Sequence, residues 1–183
     1  MSVQILANES PALEESLVAQ QQDLGLTEVE HLPPGTSGEL LFSASMVCVL
    51  PNQHPLLRKP RLEPSDFHEI DFINLSSADT YQQQLDRRFS AAGVNRRTVI
   101  ETSSAASLCA MVRQGLGVAI VNPLSGLEAA QNGLALRDLT IDVPYKVMLV
   151  HPNHRSESAA AQSFCHILRA KTQNISKLLA KGV

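Results

Sequence analysis

Short apolar runs bounded by turn residues read as strands, and apolar residues recurring every three or four positions read as helix faces. On that pattern Val3–Leu6 is a short strand. Asn8-Glu9-Ser10-Pro11 then supplies a capping side chain and a proline for a first helical turn, with Glu14 and Glu15 near the positive end of the helix. This helix runs to about Gln21, and Asp23–Thr27 is a second strand. Pro33-Pro34-Gly35 breaks the chain. Glu39–Leu50 is a longer strand, largely apolar near its end, and the two prolines in Pro51–Pro55 make the next stretch a connection. Glu63-Pro64-Ser65-Asp66-Phe67 signals another helix start.

From Asp71 the alternation becomes regular. Asp71–Leu75 is a strand, Ser76-Ser77-Ala78-Asp79 a loop and cap, and Thr80–Ala92 a helix closed by Gly93. Arg97–Glu101 is a strand, Thr102-Ser103-Ser104 a cap, and Ala105–Gln114 a helix closed by Gly115 and Gly117. Val118–Val121 leads through Asn122-Pro123 into a short helix ending near Asn132. Tyr145–His151 is the last strand and Ser156–Leu179 a long helix. Strands alternating with helices imply an α/β fold with parallel pairing and crossover connections. An opening block, a block over about residues 54–143, and a returning strand and helix predict two Rossmann-like lobes. Residues 1–50 with 145–183 form the first and 51–144 the second, with crossings near Leu50-Pro51 and Val143-Pro144. No internal repeat or low-complexity segment interrupts this plan.

Composition narrows the function. The chain has 183 residues, 44% apolar and 18% charged, with a net charge of −3. A stand-alone nucleic-acid binder shows a basic face, and this balance gives no support for one. Cys48, Cys109 and Cys165 each sit in an apolar run, so they read as buried thiols, not as a disulfide framework or a metal cluster. Cytoplasmic residence is the expectation. No apolar stretch approaches the roughly 18 residues of a membrane span. The first residues show no basic segment leading into an apolar core, so no secretory signal is expected.

The candidate chemistry lies at helix starts. Asn8-Glu9-Ser10, Ser76-Ser77-Ala78-Asp79 and Thr102-Ser103-Ser104 each follow a strand. In open parallel sheets ligands sit beyond the carboxyl ends of strands, where helix N-termini offer free N–H groups. Hydroxyl side chains there cap the helix, hydrogen-bond a ligand carboxylate, or do both. Each cap taken alone is ordinary, and spacing does not show whether they converge. Acidic residues near these loops are Glu9, Glu28, Asp79 and Glu101, but nothing sets two of them as an acid–base dyad. Gly115-Leu116-Gly117 follows a helix and precedes a strand, the reverse of a phosphate-cradling loop. His151-Pro152-Asn153-His154 reads as a loop with solvated histidines. Arg169, Lys171, Lys177 and Lys181 read as the solvated, cationic end of the last helix. No GxSxG-like signature marks a nucleophile. No catalytic residue, metal or cofactor is expected.

Several stretches carry a family resemblance: DLGLTE (Asp23–Glu28), VCVLPNQHPL (Val47–Leu56), DFINLSSADTYQQQLD (Asp71–Asp86) and ETSSAASLCAMVRQGLGVAIVNPLSGLEAA (Glu101–Ala130). In this order they resemble the effector-binding domain of LysR-type transcriptional regulators, over roughly residues 3–170. The resemblance implies a type 2 periplasmic-binding-protein-like fold with a ligand cleft between its lobes. It implies ligand contacts at Ser76, Ser77, Thr102, Ser103, Ser104, Asn122 and Pro123, with Glu9, Ser10, Thr27 and Glu28 from the first lobe. Asp79 joins this set as a partner for an ammonium group, or simply as a cap. SAASLCAMVRQGLG followed by VNPL narrows the resemblance to the branch that answers diaminopimelate in lysine biosynthesis, with opine-responsive regulators next.

A small amino-acid effector, diaminopimelate or lysine-like, and a homodimer or tetramer are therefore expected partners. DNA would be met only through a winged helix-turn-helix that precedes the sensor in the family. Relative to the family pattern the sequence reads as N-terminally truncated, which would expose a strand edge for pairing. Two other classes share the architecture: a solute-binding protein serving a transporter, and an enzyme on a similar two-lobed fold.

Overall fold

A computed structural model describes residues 3–7, 10–19, 21–28, 32–153 and 157–180. The candidates Asn8, Glu9, His154, Ser156 and Lys181 lie outside the described residues. The chain divides into two compact units, residues 1–44 with 146–182 and residues 45–145.

In the first unit, helix α1 spans Ser10–Val18 and strand β1 spans Gly25–Thr27. Strand β2 begins at Thr36, after the Pro34-Gly35 turn, and runs to Ser45. Residues 3–7 form no strand: they enter no ladder, and Ile5 is 84% exposed. A strand exists only where a neighbour takes up its N–H and C=O groups, which an apolar pattern cannot guarantee.

The second unit starts with a correction. Glu39–Leu50 is not one strand. Ser45 ends β2, Met46 donates its N–H to the Val143 carbonyl at 3.0 Å, and strand β3 occupies Val47–Pro51. Residues 45–50 fall within this unit because β3 is paired with its strands. Strand β4 is only Arg61–Leu62, and the expected helix at Glu63 is one 3-10 turn, Pro64–Phe67. A capping box between Glu63 and Asp66 closes that turn without extending it. Then follow β5 (Asp71–Leu75), α2 (Thr80–Ala91), β6 (Arg97–Thr102), α3 (Ala105–Arg113), β7 (Ala119–Val121), α4 (Pro123–Gln131) and β8 (Leu134–Leu139). The chain returns to the first unit in β9 (Pro144–Pro152) and α5 (Ala159–Ala180).

The first unit's sheet has the order β1-β9-β2, with Gly25, Leu26 and Thr27 antiparallel to Val150, Leu149 and Met148. Its buried apolar residues include Leu17, Phe42, Leu149, Val150, Ala161 and Cys165.

The second unit's sheet has the order β4-β8-β3-β7, and β5 and β6 form a parallel pair beside it. A parallel bridge from Phe72 to Val118 links β5 to β7. Purely parallel pairing does not hold: β3 runs antiparallel to both β7 and β8. Helical crossovers enforce parallel strands, but β3 arrives directly from β2, with no helix between them. Strand β8 has no counterpart in the sequence reading, yet it is central to the sheet.

Two clusters hold this unit. Val49, Ile73, Leu108, Val112, Ala119, Val121 and Leu136 form one, under α3 and α4. Phe67, Phe72 and Phe89 form the other, edge to face with centroids 5.4–6.4 Å apart. Arg96 lays its guanidinium over Phe72 and Phe89 at 4.7 and 4.2 Å and pairs with Asp86. Between β5 and β7, a Cβ on Gly117 (φ 157°) would meet the Asp71 carbonyl oxygen at 2.7 Å, so glycine permits the approach that lets Val118 donate to that carbonyl at 2.9 Å.

Candidate functional site

The parallel register aligns two strand ends in the second unit. Leu75 of β5 stands opposite Thr102 of β6. The parallel bridge between Phe72 and Val118 brings β7 alongside β5, running in the same direction. Each strand end opens directly into a helix: α2, α3 and α4. Ser76, Ser77, Asp79, Thr102, Ser103, Ser104, Asn122 and Pro123 therefore follow the carboxyl ends of three strands that run in the same direction. Three helix N-termini start there, with partial positive charge at those ends.

Most of these side chains already have local work. Asp79 is the N-cap of α2 and accepts the Gln82 N–H at 2.8 Å. Ser104 is the N-cap of α3 and accepts from Ser107 at 3.2 Å. Asn122 is the N-cap of α4 and accepts from Ser125 at 2.9 Å, with Pro123 buried in the first turn. Thr102 Oγ1 accepts the Ser104 N–H at 3.3 Å, and Ser76 Oγ accepts from Ala78 at 3.4 Å. Gln82, almost wholly buried on α2, accepts the Leu75 N–H at 3.2 Å and so ties the end of β5 to the helix. Ser77 and Ser103 are exposed.

The Ser77 N–H, expected to be free for a ligand, is donated to Glu101 Oε1 at 3.1 Å. Glu101 is exposed at the end of β6, opposite Asn74 in the ladder. It brings a negative charge into the middle of the row, beside hydroxyls and helix N-termini. Such a mixture suits a zwitterion: hydroxyls and N–H groups for a carboxylate, a carboxylate for an ammonium. Sequence reasoning noticed Glu101 as one acid among several. What singles it out is the β5–β6 register, which spacing did not reveal.

In the first unit Thr27 ends β1 half-buried, and Glu28 follows it exposed. Ser10 opens α1. An open depression of about 360 Å³ in the second unit is lined by Ser45, Met46, Arg61 and residues 138–142. It contains none of the expected site residues, and its Ser45 hydroxyl donates to Asp142 at 2.6 Å.

The histidine expectation needs correcting. His151 is not in a solvated loop but within β9, half-buried, with Nδ1 2.5 Å from Glu157 Oε1. The thiol of Cys165 lies beside this pair. Strand β9 extends through Pro152 because β1 and β2 flank it. The three cysteines are free and buried as expected, and burial raises each thiol pKa above its ordinary value. Arg169 is paired with Glu39 at 2.8 Å.

A family model described as the LysR substrate binding domain matches residues 1–173. The chain belongs to this family. It is a LysR-type effector-binding domain, and the expected type 2 periplasmic-binding-protein-like fold holds for it. The Transcriptional activator protein LysR of Escherichia coli is 49% identical over 170 residues, covering 93% of this chain and 55% of that protein. The chain thus spans about half the length of that relative. Among solved structures, HinK, a LysR family transcriptional regulator from Pseudomonas aeruginosa, is 17% identical with a TM-score of 0.71, covering 90% of this chain and 57% of that one. The CcmR regulatory domain of Synechocystis, solved in complex with 2-PG, is 16% identical with a TM-score of 0.69, covering 89% and 79%. At that identity the likeness concerns the LysR-type fold alone. Among the described residues no helix is long and apolar enough to cross a membrane.

Proposed function

We propose that this LysR-type domain senses a small zwitterionic amino-acid metabolite, diaminopimelate or a lysine-like compound, at the strand ends of its second unit. The observation that carries this reading is the pairing of Leu75 with Thr102 at the ends of two parallel strands, each leading into a capped helix, with Glu101 bonded to Ser77 between them and the capped start of α4 following the parallel β7. The hydroxyls of Ser76, Ser77, Thr102, Ser103 and Ser104 and the helix N-termini receive the carboxylate. Glu101 receives the ammonium, and Asp79 is held back as a cap. The choice of diaminopimelate rests on the family resemblance; the preference for a zwitterion rests on the chemistry of the row.

The effector acts by population shift. It favours one arrangement of the regulator, and so changes how a winged helix-turn-helix in the full-length protein sits on DNA. The domain turns over no substrate, uses no cofactor and works in the cytoplasm as a homodimer or tetramer. Membership of a family of transcriptional regulators favours this over a transporter's solute-binding protein or an enzyme.

Calorimetry tests the effector, with diaminopimelate, lysine, an opine and an aromatic carboxylate titrated into the chain. Ser103→Ala weakens the true effector by about 1–3 kcal/mol, the loss typical of a hydrogen bond to a charged group. Binding of the aromatic acid alone, or an unchanged affinity in Ser103→Ala, sinks the assignment. Sedimentation equilibrium tests the assembly; a pure monomer at roughly tens of micromolar, where weak interfaces hold, counts against it.

A further inference from the structure

Three side chains of the first unit meet beside α5. His151 stands near the end of β9, Glu157 precedes α5, and Cys165 lies on the second turn of that helix. One ligand atom from each (an imidazole nitrogen, a carboxylate oxygen and Sγ) lies within 4.8 Å of the others. Cys165 is wholly buried, whereas the His151 and Glu157 side chains are 16% and 36% exposed.

The histidine is poorly satisfied as it stands. His151 Nδ1 is closed off from solvent and has no hydrogen-bond partner among the described residues. Yet Glu157 Oε1 is only 2.5 Å away. The contact has the distance of an ion pair without the alignment of a hydrogen bond. A buried polar nitrogen left in that condition costs free energy. Nitrogen, oxygen and sulfur donors gathered there suit a cation shared by all three.

We propose that His151, Glu157 and Cys165 bind a zinc-class divalent transition ion, with water in the fourth position. An imidazole, a carboxylate and a thiolate form a borderline-soft donor set that suits zinc and its first-row neighbours, not calcium or magnesium. Ligand bonds of about 2.0–2.3 Å place tetrahedral donors roughly 3.3–3.8 Å apart. The sulfur therefore closes on the ion by about an ångström while the histidine–glutamate contact opens. Glu157, partly exposed and outside the helix, has the freedom to do this.

Binding breaks the Cys165 S–H bond, forms the metal–sulfur bond and releases one proton to solvent; the imidazole binds as the neutral base. Arg169, one turn along α5, is paired with Glu39, which offsets its charge. The bound ion fastens the end of β9 to α5 within the first unit. This inference is independent of the effector assignment.

The test titrates the chain, reduced and stripped by a chelator, with cobalt(II) chloride. A thiolate-to-cobalt charge-transfer band and the visible absorption of a tetrahedral site should grow to one equivalent per chain. Cys165→Ala should abolish the charge-transfer band, and Cys109→Ala should leave it intact. Glu157→Gln changes only a partly exposed side chain outside any helix, so it keeps the fold while weakening cobalt by roughly tenfold or more. Zinc should displace the cobalt and raise the melting temperature of the chain more than that of Glu157→Gln. No charge-transfer band at saturating cobalt, a band that survives Cys165→Ala, or an unchanged affinity in Glu157→Gln each overturns the proposal.

Discussion

The two units differ in how many large apolar side chains they leave exposed. Phe67, Phe72 and Phe89 are packed edge to face and capped by Arg96, with a separate aliphatic cluster beneath α3 and α4. Of the ten large hydrophobic residues exposed among the described residues, eight belong to the first unit: Val3, Ile5, Leu6, Val18, Leu26, Leu40, Ile167 and Leu178. On the proposed function, the second unit carries the recognition row at its strand ends, and the first unit meets other copies of the chain.

The largest effect expected from breaking this contrast comes from Phe72→Ala. It removes a fully buried ring that touches two other rings and the Arg96 guanidinium. The cost should be about 3–5 kcal/mol, read as a lower urea midpoint. Replacing Ile5, which is 84% exposed, by Ser should shift the same midpoint by less than about 0.5 kcal/mol. Equal losses from the two would abolish the distinction between the units.

A pair of glycines sharpens the contrast. In the second unit, a Cβ at Gly117 meets backbone, the Asp71 carbonyl oxygen at 2.7 Å, at a φ of 157°. In the first unit, a Cβ at Gly25 meets the tip of a side chain, Leu17 Cδ1 at 2.8 Å. A rotamer change relieves the second clash, but only a strand shift relieves the first. Gly117→Ala should therefore cost about 2–3 kcal/mol and Gly25→Ala less than about 1 kcal/mol. Thermal unfolding of both variants decides it, and the reverse order would contradict the reading that a backbone clash costs more than one with a side-chain tip.

Within the proposed recognition row, stability and binding should separate at two adjacent serines. Ser104 caps α3, so Ser104→Ala should lose about 1 kcal/mol of stability. Exposed Ser103 caps nothing, and Ser103→Ala should leave stability within about 0.5 kcal/mol. A stability loss in Ser103→Ala as large as in Ser104→Ala would show that both serines are structural.

The sequence reveals this row's parts better than its assembly. Asp79, Ser104 and Asn122 are recognisable as caps because a short polar side chain before an apolar helical pattern has one main use. Asp71–Leu75 and the helix after Asp79 are legible for the same local reason. Strand β8 is legible in principle, since Leu134 and Leu136 alternate with half-buried neighbours after the Asn132-Gly133 turn. Val3–Leu6 shows the opposite error: an apolar run in a strand-like pattern has no ladder to join. Long-range facts were hidden altogether. The Glu101–Ser77 bond joins residues far apart in sequence, and the contact of His151 and Glu157 with Cys165 depends on β9 running on to Pro152.

The smallest expected effect is a pH dependence in the second unit's entry turn. His54 caps the 3-10 turn Pro55–Arg58, its Nδ1 accepting the Leu56 N–H at 3.3 Å. Burial lowers its pKa from the ordinary 6.5, because desolvation penalises the imidazolium. The accepting nitrogen must also be unprotonated to serve the cap. The sign follows from these two facts. Above pH 6.5 the ring is neutral in both folded and unfolded chains, and the cap contributes in full. As pH falls through 6.5 towards the lower folded value, the unfolded chain takes up the proton first, and stability is lost. The ring is only partly buried, so solvent screening keeps the loss below about 1 kcal/mol. His54→Asn retains a capping acceptor but does not titrate in this range. Urea midpoints at about pH 7.5 and about pH 5 should fall further for the parent chain than for His54→Asn, and parallel losses would remove His54 from the account.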